Sequence, residues 1–216
     1  MQSAIEYLDK TESATRILFD AINKYNEPLR LSSICFVSSA ANGKSRMIEF
    51  KNWAKKNKKE IAISSQAQQD YFAESFSKAA ICGAVLQIAL KAIERYSQNN
   101  TIPPKWISVI GKNKTTPKFC LGRQIRDIPI GLIIYAGRNQ HMHFGDKQLL
   151  EPSNSVFDCL AMYYCEQAES LRDSAFDLLN PRLVSFASNI ISLLEWHSYD
   201  DYSKDLSQLL GVSIDQ

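Results

Sequence analysis

The chain has 216 residues, 45% of them hydrophobic and 22% charged, with few glycines and prolines. That composition excludes a disordered or fibrous chain and suits a compact cytosolic protein of one ordinary domain with at most an added subdomain. The formal net charge of +2 excludes nothing, but the charges are unevenly placed: Lys44 to Lys59 carries seven cations against Glu49 alone, Lys105 to Arg126 carries six with no acid, and Glu195 to Asp215 carries five acids against Lys204. Such asymmetry points either to an anionic partner or to solvated faces.

Helical periodicity dominates from the start. Ile5, Leu8, Ile17, Leu18, Ala21 and Ile22 predict an opening amphipathic helix to about Tyr25, broken by Pro28. The run Ser33–Ser39 is the best strand candidate in a chain with few. Gly43-Lys44-Ser45 follows it and suggests a phosphate-binding loop, but Ser38 stands where that motif needs its first glycine, and neither parallel strands nor a metal-binding aspartate accompany it. A capped turn is the better reading. Asp70 to Tyr96 is the clearest helix: Phe72, Phe76, Ala79, Gly83, Leu86, Leu90 and Ile93 keep a 4-3 spacing, and Ile81, Val85, Ile88 and Ala92 form a second stripe beside them. A helix apolar on more than one face is central to a bundle.

Asn99–Pro104 ends that helix by a proline stop, Trp106–Ile110 suits a short turn, and Gly111–Lys118 is a loop by composition. The next helix is expected from near Pro129 to about Phe144, with Gly145 as its C-terminal cap. Glu151–Ser155 caps a further long helix, in which Phe157, Leu160, Tyr164, Ala168, Leu171, Ala175 and Leu178 keep helical spacing. Asn180-Pro181 separates it from a helix over Leu183–Trp196, and Tyr202–Leu210 is the last. The expected fold is all-α, a bundle of about six or seven helices. The chain divides into residues 1–63, an N-terminal helical extension with the basic segment; 64–195, the helical core; and 196–216, a short acidic helix, all within one compact body. No apolar run is expected to reach the ~20 residues that span a bilayer, and the charged N-terminus has no signal-peptide character.

Five cysteines, an odd number without any Cys-x-x-Cys pair, read as reduced thiols, with Cys82 and Cys159 in the core. Two of three histidines, His141 and His143, stand close together, but two residues apart on a helix is about 200° of rotation, so they point to opposite sides and no zinc set completes itself. Neither a metal nor a cofactor is expected.

The stretch Gly131–Asp146 drives an apolar run into Arg138-Asn139-Gln140-His141-Met142-His143. Asn139 and His143 are four apart and share a helix face, with Arg138 roughly 100° round on its flank. Arginine offers a charged planar fork for phosphate, histidine moves protons near neutrality, and asparagine can orient the imidazole. These are the parts of metal-free RNA cleavage, in which a 2′-hydroxyl attacks the adjacent phosphorus. The same groups could also simply cap a helix C-terminus, where the dipole favours cations.

Arg138-Asn139-x-x-x-His143 resembles the arginine–polar–three-residue–histidine signature of the HEPN-domain ribonucleases, and the setting resembles it too: a long helix before, the motif on a later helix, another helix after. The resemblance covers roughly residues 64–195. It implies Arg138 and His143 as the catalytic pair, Asn139 as their polar support, and a shared cleft between two copies of the motif. One copy per chain then implies a homodimer. Cleavage would leave a 2′,3′-cyclic phosphate and a 5′-hydroxyl without metal or cofactor. Family members often act as toxins or in defence against phage under an antitoxin or sensor protein, so such a partner is also implied. His141 matches no position of the signature and is an additional candidate for the cleft. Lys112, Lys114, Lys118, Arg123 and Arg126 are the expected RNA-steering cations. Gly131 and Gly137 would permit close helix approach, in the core or across a dimer. The alternative is a non-catalytic helical module of the same kind that binds RNA, a nucleotide or a protein.

Overall fold

A computed structural model describes residues 3–31, 34–110, 116–146, 148–163 and 172–212, with the side chains of 28–31 and 70–74 left aside. The fold is an all-α bundle. In chain order its helices are α1 (Ala4–Leu31), α2 (Gly43–Lys56), α3 (Lys58–Tyr96), α4 (Ile107–Ile110), α5 (Ile130–Met142), α6 (Ser153–Met162), α7 (Ala187–Leu193) and α8 (Tyr199–Leu210). Two 3-10 turns, Pro104–Trp106 and Thr116–Phe119, and a two-stranded ribbon, β1 (Gln124–Ile125) and β2 (Ile128–Pro129), fill the connection into α5.

The chain divides into two compact units, Ile22–Ser75 and Met1–Ala21 together with Phe76–Gln216. The division falls inside α1 and α3, and the acidic C-terminal helix belongs to the larger unit.

In the larger unit α5 is the central element. Ile130 to Ile134, Ala136 and Gly137 are all buried, so the helix is apolar almost all round. The two glycines serve this packing. A methyl group at Gly131 would meet the Phe119 carbonyl oxygen at 2.4 Å, and one at Gly137 would meet Ile190 of α7 at 2.9 Å. Both close approaches are therefore within the core of one chain. The segment Ser75–Tyr96 of α3 is, by length and composition, apolar enough to cross a membrane, which corrects the expectation that no run reaches that length. Over half of it is buried in the fold, with Cys82, Val85, Leu86, Ala89, Ala92 and Ile93 fully enclosed. The Cys82 thiol is accordingly pushed up to about 12 by burial, and Cys35, Cys82, Cys120 and Cys159 are all free thiols. Cys165 lies outside the described residues.

Several boundaries differ from expectation for local reasons. α1 runs through Pro28 to Leu31. The strand candidate Ser33–Ser39 forms neither strand nor helix over 34–39; Phe36 packs on Phe50 and Trp53 instead. At Gly43-Lys44-Ser45 the turn is a helix cap: the Asn42 side chain accepts the Ser45 N–H at 2.9 Å. α6 stops at Met162, far short of Leu178. Beyond the undescribed 164–171, Asp173, Asp177 and Asn180 each accept a backbone N–H two residues on, a local alternative that outcompetes helix. α7 begins only at Ala187 because the Gln140 side chain takes the backbone on the way in, donating to Val184 O at 3.1 Å and accepting from Phe186 N at 2.9 Å. α8 starts three residues earlier than expected because Ser198 and Asp201 form a reciprocal capping box, and Gly211 closes it at φ 64°.

Candidate functional site

α5 carries its polar groups in its last turn and just beyond it. The helix ends at Met142, and His143 takes the cap position at φ −120°, its N–H shared between Asn139 O (3.0 Å) and Gln140 O (3.3 Å). Gly145 is not the cap. His143 is thus held by the helix end while its ring is free of the helix face. The His143 Nδ1 lies 2.9 Å from Asp146 Oδ2, and both side chains are more than half exposed. A carboxylate at Nδ1 favours the tautomer whose Nε2 can accept a proton.

Asn139 and His143 line one cleft of about 360 Å³ together with Tyr135, Asp146, Glu151 and Ser153. Asn139 donates to the buried Ser153 Oγ at 3.3 Å and accepts from Arg138 at 3.2 Å. Arg138 also donates through Nε to Gln87 of α3 at 2.6 Å. These two bonds fix the guanidinium, and among the described residues its second terminal nitrogen has no partner. Arg138 therefore reaches the cleft through Asn139 and is not part of its lining. Among the described residues the lining holds two carboxylates, Asp146 and Glu151, and no lysine or arginine; Lys147 lies outside them.

His141 lies elsewhere. Its ring packs over Gly83 of α3, where a methyl group would stand 2.1 Å from Cδ2, and its Nδ1 lies 2.8 Å from Ser185 Oγ. It does not line the His143 cleft. Burial first, and the Arg138 charge second, hold its pKa below the ordinary 6.5. A histidine kept neutral in the fold makes the unfolded state the better proton binder, so stability falls as pH drops below about 6.5. His141 is a packing residue in this arrangement. We expect Gly83→Ala to lower stability by about 1–3 kcal/mol through overpacking, and His141→Ala to rescue it. Thermal unfolding of the single and double variants checks this; losses that simply add would exclude the ring-over-glycine contact.

The expected RNA-steering cations are also placed otherwise where they are described. Lys118 donates to Glu94 O at the end of α3 at 2.8 Å. Arg123 forms a two-point pair with the buried Asp205, at 3.1 and 3.0 Å, and donates to Leu194 O at 2.6 Å. Arg126 pairs with Asp173 at 2.9 Å, donates to Leu160 O at 2.6 Å, and stacks 4.9 Å over Phe176. It does so from an unusual backbone: Arg126 and Asp127 sit at φ 50° and 60°, the two central residues of the turn joining β1 to β2. The hydrogen bonds named for these three cations lie inside the larger unit. Lys112 and Lys114 lie outside the described residues.

Sequence reasoning missed Asp146 and Gln87. The spacing His143-x-x-Asp146 could have pointed to the first, but nothing local marks Gln87, which lies 51 residues before its partner. Among the described residues no group of three or more histidine, cysteine or acidic side chains is placed to hold a metal ion. Comparison with protein-family models, with curated proteins and with solved structures yields no match to this chain.

Proposed function

We propose that this protein is a metal-independent endoribonuclease of the HEPN type, acting as a homodimer. The observation that supports it most is the cleft shared by Asn139 and His143, with Arg138 bonded to Asn139 at 3.2 Å and His143 bonded to Asp146 at 2.9 Å. In this reading His143 Nε2 takes the proton of a 2′-hydroxyl. The 2′-oxygen forms a bond to the adjacent phosphorus, and the bond from phosphorus to the 5′-oxygen breaks. The leaving oxygen takes a proton from the His143 of a second copy. Arg138 stabilises the charge that builds on the phosphoryl oxygens.

A second copy also answers a catalytic difficulty: one His143 cannot serve as base and acid in the same step. Two motif faces brought together would supply separate base and acid and a second arginine for the phosphoryl oxygens. The chain would act in the cell as a toxin or defence effector, held in check by an antitoxin or sensor protein.

The test is cleavage of structured and single-stranded RNA in excess EDTA with analysis of the new ends. The expected products carry 2′,3′-cyclic phosphate and 5′-hydroxyl, and the rate per chain rises with protein concentration until the dimer saturates. Products with 5′-phosphate, or activity that EDTA abolishes, would overturn the reading.

A further inference from the structure

The basic segment that the cleavage reading leaves unused is the one in the smaller unit. Between Lys44 and Lys59 stand seven cations against Glu49 alone. All seven are exposed, and none is paired with a carboxylate among the described residues. Glu49, the single acid among them, is bonded to Ser38 Oγ at 2.6 Å. This is the opposite of the fate of Lys118, Arg123 and Arg126. The helix that carries five of the seven, α2, contains no buried residue at all.

Aromatic side chains interleave with these charges. Phe36, Phe50 and Trp53 form one cluster, with ring centroids 5.4, 5.4 and 6.0 Å apart and the Phe50 and Trp53 rings within 28° of parallel. Phe50 is 43% exposed, and Trp53 is half-buried. Arg46 and Trp53 are seven residues apart, so they project within about 20° of each other along one face of α2. Lys56 flanks that face, about 60° from Trp53, whereas Lys44, Lys51 and Lys55 lie about 160–180° from it. Stacked rings beside Arg46 and Lys56 match the two needs of a single-stranded nucleic acid, planar bases and a phosphate chain.

We propose that this face of α2 binds single-stranded RNA, with bases against Phe50 and Trp53 and phosphates against Arg46 and Lys56. The choice of RNA among polyanions rests on the ribonuclease reading. An anionic membrane is the weaker occupant for two reasons. Arg46 stands in the aromatic sector that would have to enter hydrocarbon, and Phe36 already packs across that sector.

The tryptophans supply the test. Trp106 and Trp196 are each 2% exposed, so Trp53 is the reporter for the surface. The full chain carrying His143→Ala, which leaves the RNA uncut, is titrated with an oligouridylate of about 15 nucleotides, the upper range for one binding face. Saturable quenching of tryptophan emission is expected, and Trp53→Phe should remove the quenching while binding measured by anisotropy persists. The variant Arg46→Gln/Lys56→Gln should bind at least about tenfold more weakly at low salt. Its plot of log affinity against log salt should be shallower by about 1.4, from two lost phosphate contacts at roughly 0.7 each. Unchanged binding or slope in the double variant would overturn the proposal. So would an emission shift and co-sedimentation with phosphatidylserine vesicles in place of RNA binding, or a shift that follows protein concentration without any RNA. The two readings fail separately. Binding through α2 without cleavage by the unmodified chain sinks only the ribonuclease reading, and cleavage with α2-independent binding sinks only this one.

Discussion

Replacing His143 by alanine is expected to reduce RNA cleavage by about a thousandfold or more, the range a positioned general base contributes, with the fold intact. The second half of that expectation comes from placement. His143 sits at the end of α5 with a side chain 54% exposed, and among the described residues its one side-chain bond is to a similarly exposed Asp146. Its backbone N–H, which caps the helix, survives the substitution. Arg138→Ala should cost a similar factor. Arg138→Lys should recover little of it, because a lysine keeps the charge but loses the planar fork that spans Gln87 and Asn139. Asp146→Asn is expected to be milder, about tenfold in kcat with KM unchanged, since it removes orientation of the ring and no reacting group. Single-turnover cleavage of one defined RNA, with circular dichroism of each variant, measures all four. Full activity in the His143→Ala protein would end the assignment of that residue.

The cleft was half legible in the sequence, and the reason is distance along the chain. Arg138, Asn139 and His143 fall within one helical turn and a half, so spacing alone brings them together. The same local rule misled for His141. Its neighbours in sequence suggested the cleft, but Gly83 and Ser185, 58 residues before it and 44 after it, decide where its ring lies. The apolar stripes of α3 and α5 announced core helices correctly, because periodicity reports burial directly. It does not report competition for the backbone. Asp173, Asp177 and Asn180 hold 173–182 in turns, where apolar spacing alone would have carried a helix to Leu178, and the side chain of Gln140 holds back the start of α7. Charge runs were the least reliable guide. Lys105–Arg126 and Lys44–Lys59 look alike as sequence, yet in the first Lys118, Arg123 and Arg126 are bonded to helix-end carbonyls, Asp205 and Asp173, which no local pattern foretells.

That inward use of charge makes Asp205→Ala a strongly destabilising substitution. Asp205 is 7% exposed and accepts three hydrogen bonds, two from Arg123 and one from the Trp196 indole N–H at 2.8 Å. Trp196 is itself buried and packs edge-on against Tyr202 at 5.0 Å, so the carboxylate ties the entry to α5, the end of α7 and α8 together. Removing one partner of a buried pair leaves the other charge uncompensated, at about 3–5 kcal/mol. Here the lower end applies, because the Arg123 side chain is 38% exposed and water can answer part of its charge. A loss of about 3 kcal/mol corresponds to a fall in Tm of roughly 6–12 °C for a chain of this size. Asp205→Asn keeps an acceptor for Trp196 and should lose less. Arg123→Ala should lower stability in the same way while leaving RNA affinity, measured by anisotropy below the transition, unchanged. Weakened RNA binding with unaltered Tm in that variant would return Arg123 to the steering role its sequence position suggested.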